Sequence, residues 1–600
     1  MPDNQILTRD QIDPKYQWDV SDLFESDEEF VEKLERVEES LPKIATIQGS
    51  LNESPGQLVG AIEVVLNASR RIDNLIVYAS LKNDQDQTNP KYQAYHARAQ
   101  QLSMKFDEAT AFMEPEIINI SERRLKGFME RSERLQSYTH YLENIRRSQV
   151  HVFDKETESM IAQAGEVFRN PSHTFALLNN ADFDFPVIQD SQGNDIKLSH
   201  GVYNKLLENT DRNVRKAAFE GYYSVYGQFK NTLASTLSGL IKTNNYLAKI
   251  RGYDSARQRA LFNNAIPEQV YETLVKTVNK RIAMLHRYVD LRERLLGIDD
   301  LEMYDMYTPL LGKAPISFTF EEAKEVVLKA LAPLGEEYLS VVKKAFTEGW
   351  IDVYENQGKR SGAYSSGSYN SKPYILMNWQ DNLSSLYTLV HELGHSVHSY
   401  LTRQNQPYVY GDYPIFLAEI ASTTNENLLT SYLKDNYNDK EVKLYVLNQF
   451  LDGMKGTMFR QTQFAEFEQF MYSEDAKGTP LTAEFLSENY RKLNRKYYGV
   501  NVNSNSAIEI EWSRIPHFYY NFYVFQYATG FAAATAFADG INHGDKKMLE
   551  DYLKFLKTGS SKYAIDVMKE AGVDMTQSDY IHACLDVFER RVVEFEDLLD

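Results

Sequence analysis

His391, Glu392 and His395 stand in the order H-E-x-x-H, within the stretch LSSLYTLVHELGHSVHSYL. On a helix, positions i and i+4 share a face, so both imidazoles can reach one ion. Neutral imidazole nitrogen is a zinc ligand, and a glutamate beside the pair can take a proton from an attacking water and pass it to a leaving amine. The stretch has no proline, and Asp381 or Asn382 can cap its start. A catalytic zinc needs a third protein ligand and one open position. The segment IFLAEIASTTNENLLTSYL, which follows Pro414, offers Glu419 and Glu426, seven residues apart on nearly one helical face. Glu419 follows Phe416, Leu417 and Ala418 and is therefore expected to face inward as the third ligand. Glu426 is then the acceptor that orients an imidazole. His398, seven residues past His391, is expected to be a packing or helix-surface histidine. Burying two histidines and a glutamate without a use for them is costly, which favours a metal.

A second chemical cluster lies downstream. Residues 515–530, IPHFYYNFYVFQYATG, carry one histidine among many aromatic residues and no charge. Peptide hydrolysis builds an oxyanion, and a tyrosine O–H or histidine N–H can share its charge. His517, Tyr520 and Tyr527 are the candidates. Read as one aromatic helix, the segment places 520, 523 and 527 on one face.

The elements that must hold these groups are mostly helical. Phe30, Leu34, Val37 and Leu41 make an apolar stripe over 27–46, and similar spacing recurs over 56–83, 90–114, 121–148, 202–250, 267–296 and 320–348. Strand-like text is rare. Residues 183–199 read as two short strands around a turn at 191–194. Residues 357–379 combine a glycine-serine-tyrosine turn with the apolar run Tyr374–Trp379, directly before the histidine helix. The hairpin near 183–199 suggests a boundary between an N-terminal helical domain, 1–200, and a catalytic domain, 201–600.

The chain has 600 residues and a net charge of −20, which argues against a phosphate backbone as partner. The single cysteine, Cys584, cannot form an internal disulfide and is expected to be a buried small hydrophobe. The N-terminus lacks the basic and apolar regions of a signal peptide, and no apolar run approaches the ~18 residues of a membrane span. A cytoplasmic protein without nucleic-acid or membrane partners is the expectation; the oligomeric state is not legible.

HELGH, FLAEIASTTNE and HFYYNFYVFQYATG together resemble the thimet oligopeptidase and neurolysin group of zinc peptidases, in particular its bacterial oligoendopeptidase F branch. GKRSGAYSSGSYNSKPYILMNWQDNL and the opening QWDVSDLF resemble that branch too, so the likeness spans nearly the whole chain and is strongest over 355–535. The resemblance implies that His391, His395 and Glu419 bind one Zn2+ per chain, with Glu392 as base and His517 and Tyr527 as transition-state donors. The spacing from His517 to the next cleft tyrosine is shorter here than in mammalian relatives, leaving Tyr520 and Tyr523 interchangeable. The implied fold is mainly α: an elongated helical body with a deep central channel and a small β-sheet beside the active site. An edge strand of that sheet would pair with the substrate backbone, and residues 362–368, with Gly362, Ala363 and Tyr364 first, are the candidate. The implied substrates are short unstructured peptides cut at internal bonds. A helical metallocarboxypeptidase also uses H-E-x-x-H, and a peptide-binding zinc protein without chemistry would need no Glu392.

Overall fold

The computed structural model describes residues 6–505 and 507–599. The chain is mainly helical, as expected, with small sheets only. The stripe over 27–46 forms the helix Asp27–Ala45, which buries Phe30, Leu34, Val37 and Leu41. Ser26 caps it by accepting the Glu29 N–H at 3.2 Å. Longer periodic runs break where caps intervene. The 121–148 run becomes Glu122–Glu130, Glu133–Gln136 and Thr139–Arg147, with Ser132 capping the middle piece. The 202–250 run becomes three helices, the second opened by Asp211.

The backbone divides into two compact units, each assembled from three stretches of sequence. The first comprises Met1–Val150, Ile316–Asp435 and Phe537–Gly572; the second comprises His151–Pro315, Asn436–Ala536 and Val573–Asp600. The stretches interleave along the chain, so a single cut such as the one at 200 does not describe these units.

The second unit contains the expected hairpin, β1 (Val187–Gln189) and β2 (Asp195–Lys197), with Ile188 opposite Ile196. Its turn is closed by Asp190, whose Oδ1 accepts the N–H groups of Gln192 and Asn194.

The first unit contains a three-stranded sheet: β3 (Ile351–Asp352), β4 (Tyr364–Ser366) and β5 (Tyr374–Leu376), in the order β3-β5-β4. β5 is fully buried between β3, to which it is parallel, and β4, to which it is antiparallel. The N-terminal segment props this sheet from behind. Val353 N–H donates to the Tyr16 carbonyl, Trp18 packs edge-on to Tyr374, and Asp352 is paired with Arg9 and with the buried Lys359. Trp18, Phe24, Phe30, Tyr78, Tyr374 and Leu376 share one apolar core with the first helices of the chain.

Among the described residues no helix is long and apolar enough to cross a membrane. Cys584 is fully buried, and burial pushes its thiol up to about 12, so it is chemically inert.

Candidate metal centre and aromatic cluster

His391, Glu392 and His395 sit on the helix Leu383–Asn405, which Asn382 caps through the Ser385 N–H at 2.8 Å. The alternative cap, Asp381, instead accepts the Trp379 indole N–H. The helix Ile415–Asn436 follows and carries Glu419 and Glu426. It buries Ser422, Thr423, Thr424, Asn425 and Asn427 beside its apolar residues, so it is enclosed on most sides and not amphipathic.

Gly394 lets the two helices touch. A Cβ there would lie 2.5 Å from Ser422 Cα, 2.7 Å from Ser422 N and 2.8 Å from the Ala421 carbonyl oxygen, all backbone atoms that cannot step aside. A glycine inside a helix costs about 1 kcal/mol relative to alanine, and close backbone approach is the return on that cost here. Asn425 then ties the pair: its Nδ2 donates to the Val390 carbonyl at 2.9 Å, and its Oδ1 accepts the Tyr338 hydroxyl.

The crossing converges three donors. His391 Nε2 and His395 Nε2 lie 3.2 Å apart, and Glu419 Oε2 lies 3.4 Å from the first and 3.6 Å from the second. Among the described residues this is the one His/Cys/Asp/Glu group whose ligand atoms gather within 4.8 Å. Each donor is held from behind. Glu426 Oε1 accepts from His391 Nδ1 at 2.6 Å, the Ala418 backbone hydrogen-bonds the His395 ring, and Ser422 donates to Glu419 Oε2 at 3.1 Å. Two imidazoles and a carboxylate, each oriented by a further partner, fit a divalent metal ion.

The electrostatics agree. Burial works to lower the His391 imidazole, but the hydrogen bond to Glu426 and the charges of Glu426, Glu392 and Glu419 outweigh it and carry the group up to about 9. His395 is held low by burial and by neighbouring His391. Three carboxyl groups, Glu392, Glu419 and Glu426, thus surround the imidazole pair, a donor set that favours a divalent cation. Glu392 is only 7% exposed, and burial, helped by Glu419, pushes it up to about 7 despite the opposing pull of His391. A carboxyl raised into that range can exchange a proton near neutrality. His398 is buried, not on the surface: it stacks on Tyr413 with ring centroids 3.6 Å apart, and burial keeps it neutral.

β4 runs past Glu392. Ile375 and Met377 donate their N–H groups toward β3, to Trp350 and Asp352, so Tyr374 and Leu376 use theirs toward β4. Their partners there are Ser366 and Tyr364, which leaves the backbone of Ser365, and of Ala363 just before the strand, turned to the free edge. The Ser365 N–H is directed to the Glu392 carboxyl, and its hydroxyl meets Ser396 Oγ at 2.8 Å. Of the three edge residues expected from sequence, Ala363 alone offers its backbone outward. Gly362 precedes the strand in a turn with φ of 85°, and Tyr364 spends its backbone on β5 and its hydroxyl on Asp84. Ser365 lies inside the 362–368 segment expected to be the edge, whereas Gly394 and Asn425 are not among the site residues expected from the sequence. A glycine in mid-helix was the available signal for Gly394; strand parity, and hence Ser365, needs the register.

The aromatic cluster belongs to the second unit, and it is not one helix. A short 3-10 segment, Pro516–Tyr519, carries His517; the helix starts again at Phe525, and Tyr527 lies in its first turn. Pro516 and the left-handed Asn521 and Phe522 break the helical path. The rings nevertheless gather. Tyr527 Oη and His517 Nε2 lie 3.5 Å apart, Tyr523 lies parallel to the imidazole at 6.3 Å, and Tyr520 meets it edge-on at 5.6 Å. Tyr520 is 59% exposed. The segment leading to His517 is anchored by Glu511, which accepts from Arg460, Arg514 and Tyr490. Those guanidinium groups overcome burial and hold its carboxyl down at about 2.

A mainly helical chain bearing two imidazoles and a carboxylate around one point, with a buried glutamate alongside, has the architecture of a metal-dependent hydrolase. Residues 205–586 match Peptidase family M3, and residues 116–185 match Oligopeptidase F. The chain belongs to peptidase family M3 and is a metallopeptidase. It is 49% identical over 591 residues to the group B oligopeptidase PepB of Streptococcus agalactiae, covering 98% of each chain. To the oligopeptidase PepF of Bacillus subtilis it is 47% identical over 596 residues, covering 99% of this chain and 89% of that one. The crystal structure of oligoendopeptidase-F from Enterococcus faecium is 49% identical, with a TM-score of 0.75 over 96% of this chain and 99% of that one.

Proposed function

We propose that the protein is a zinc-dependent endopeptidase that hydrolyses internal bonds of short, unstructured oligopeptides. The observation that carries this is the convergence of His391, His395 and Glu419 beside a buried Glu392 and the free edge of β4. His391, His395 and Glu419 would hold the zinc, which would supply Lewis acidity at the scissile carbonyl. The substrate backbone lies along β4 and bonds the outward groups of Ala363 and the Ser365 carbonyl, the Ser365 N–H being held by Glu392. Main-chain pairing reads few side chains, which suits a peptidase that accepts many sequences. Glu392 takes the proton of the attacking water and returns it to the leaving amine. His517 and Tyr527 donate hydrogen bonds to the oxyanion, and Tyr520 and Tyr523 contact the peptide.

The test is mass spectrometry of an oligopeptide blocked at both ends, incubated with and without chelator. Internal fragments that vanish with chelator and return with zinc are expected. Cleavage only after the C-terminus is unblocked would point to a carboxypeptidase, and no cleavage in either form to a binding protein.

The ligand assignment has its own test. Glu419→Ala is expected to strip the metal, whereas Glu426→Ala lowers metal affinity by about 10–100-fold by releasing the His391 ring. Metal content by atomic absorption checks both; normal zinc in the Glu419 variant would transfer the third ligand to Glu426.

A further inference from the structure

Glu468 sits on the helix Arg460–Ala476 with its side chain fully buried. Its Oε1 accepts the Phe522 N–H at 2.7 Å, while its Oε2 is enclosed without a hydrogen-bond partner. The turn it holds is costly. Asn521 and Phe522 adopt φ of 53° and 58° in succession, a left-handed conformation that is uncommon outside glycine and strained for a bulky residue. The Phe522 ring is buried against Tyr472 and Tyr271, with centroids at 4.6 and 5.8 Å. This turn joins the 3-10 segment bearing His517 to the helix bearing Tyr527, and it carries Tyr520 and Tyr523 itself.

One oxygen of the acid meets the Phe522 N–H and the other meets nothing, so the carboxyl is tied to this turn; an apolar side chain of the same size would fill the space but leave that N–H without an acceptor. Strained backbone persists where the surroundings over-determine it, and such places cluster at working sites. We propose that Glu468 is a positioning residue: its carboxyl holds the left-handed turn at Phe522 and thereby sets the placement of His517 relative to Tyr527. This rests on the reading of those two residues as oxyanion donors. Burial pushes the Glu468 carboxyl up to about 8, so at neutral pH it is mostly the uncharged acid, which glutamine matches in shape and in its acceptor.

The experiment is steady-state kinetics of the full-length, zinc-loaded protein with E468L, E468Q, Y527F and H517A, together with metal content and Tm. E468L keeps the volume and removes the acceptor. It is expected to keep full zinc, because the metal donors belong to the other unit, and to stay folded with a Tm somewhat below wild type, since the Phe522 N–H loses its acceptor. Its kcat is expected to fall by roughly 10- to 100-fold with KM little changed, as misplacement of donors that act in the transition state predicts. E468Q is expected to recover most of that loss. Wild-type kcat in E468L alongside slow Y527F overturns the role of Glu468 and leaves the donors in place. Glutamine as slow as leucine also overturns it, since the acceptor would then not be what matters. Wild-type kcat in both Y527F and H517A removes the donor reading beneath it. Should E468L not fold, E468M, which lacks the same acceptor, takes its place under the same criteria.

Discussion

Glu392→Gln is expected to keep its zinc and lose at least about 10³-fold in kcat, the scale on which positioned proton transfer contributes. Glutamine has the same size and can still accept the Ser365 N–H, so the β4 edge and the helix crossing stay as they are. It cannot take a proton from water. No ligand atom changes, because His391, His395 and Glu419 supply the cluster without Glu392. The measurement is kcat on an end-blocked peptide beside zinc content per chain. Turnover near wild type with metal bound would remove Glu392 from the chemistry; lost metal would make it part of the coordination sphere.

Gly394→Ala is expected to be nearly as damaging while touching no reacting group. The added methyl would sit 2.5 to 2.8 Å from three backbone atoms of the partner helix, where no rotamer change relieves the clash. Overpacking of this kind costs about 1–3 kcal/mol, and more when backbone must move. The direction of the motion matters more than its cost. Separating the helices carries Glu419 away from His391 and His395, whose contacts of 3.4 and 3.6 Å depend on the crossing. Zinc affinity and Tm are both expected to drop, and excess zinc is expected to restore part of the activity. Normal zinc affinity in the variant would mean that the helices can part without opening the site.

How much of this was legible follows from what kind of information each feature needs. The three candidate metal donors lie on two helices, and periodicity alone places His391 beside His395. The apolar residues before Glu419 do not separate it from Glu426, since the Glu419 side chain is 41% exposed and that of Glu426 34%; the helix crossing is what brings Glu419 to both imidazoles. The helix breaks inside 121–148 and 202–250 were not legible from apolar spacing, which continues across a cap; the signals there are single residues such as Ser132 and Asp211. The aromatic segment misled for the opposite reason. Its spacing fits a helix, but packing of Phe522 against Tyr472 and a hydrogen bond to Glu468, from residues about fifty positions away, override local preference. Glu468 itself lies in FAEFEQF, where nothing local separates a buried acid from a surface one.

The interleaving of the chain has a consequence for how the enzyme is made. The far end of the histidine helix is held by the last stretch of its unit: Thr402 Oγ1 donates to the Leu556 carbonyl, Gln406 Nε2 to the Lys557 carbonyl, and Phe555 packs on His398. A ribosome delivers His391 and Glu419 long before residues 555–557. The nascent chain therefore carries metal-binding side chains for more than a hundred codons before the packing that rigidifies their helix exists. The far end of the histidine helix gains these contacts only once residues 555–557 have emerged, so a chain cut before them lacks the packing that holds it.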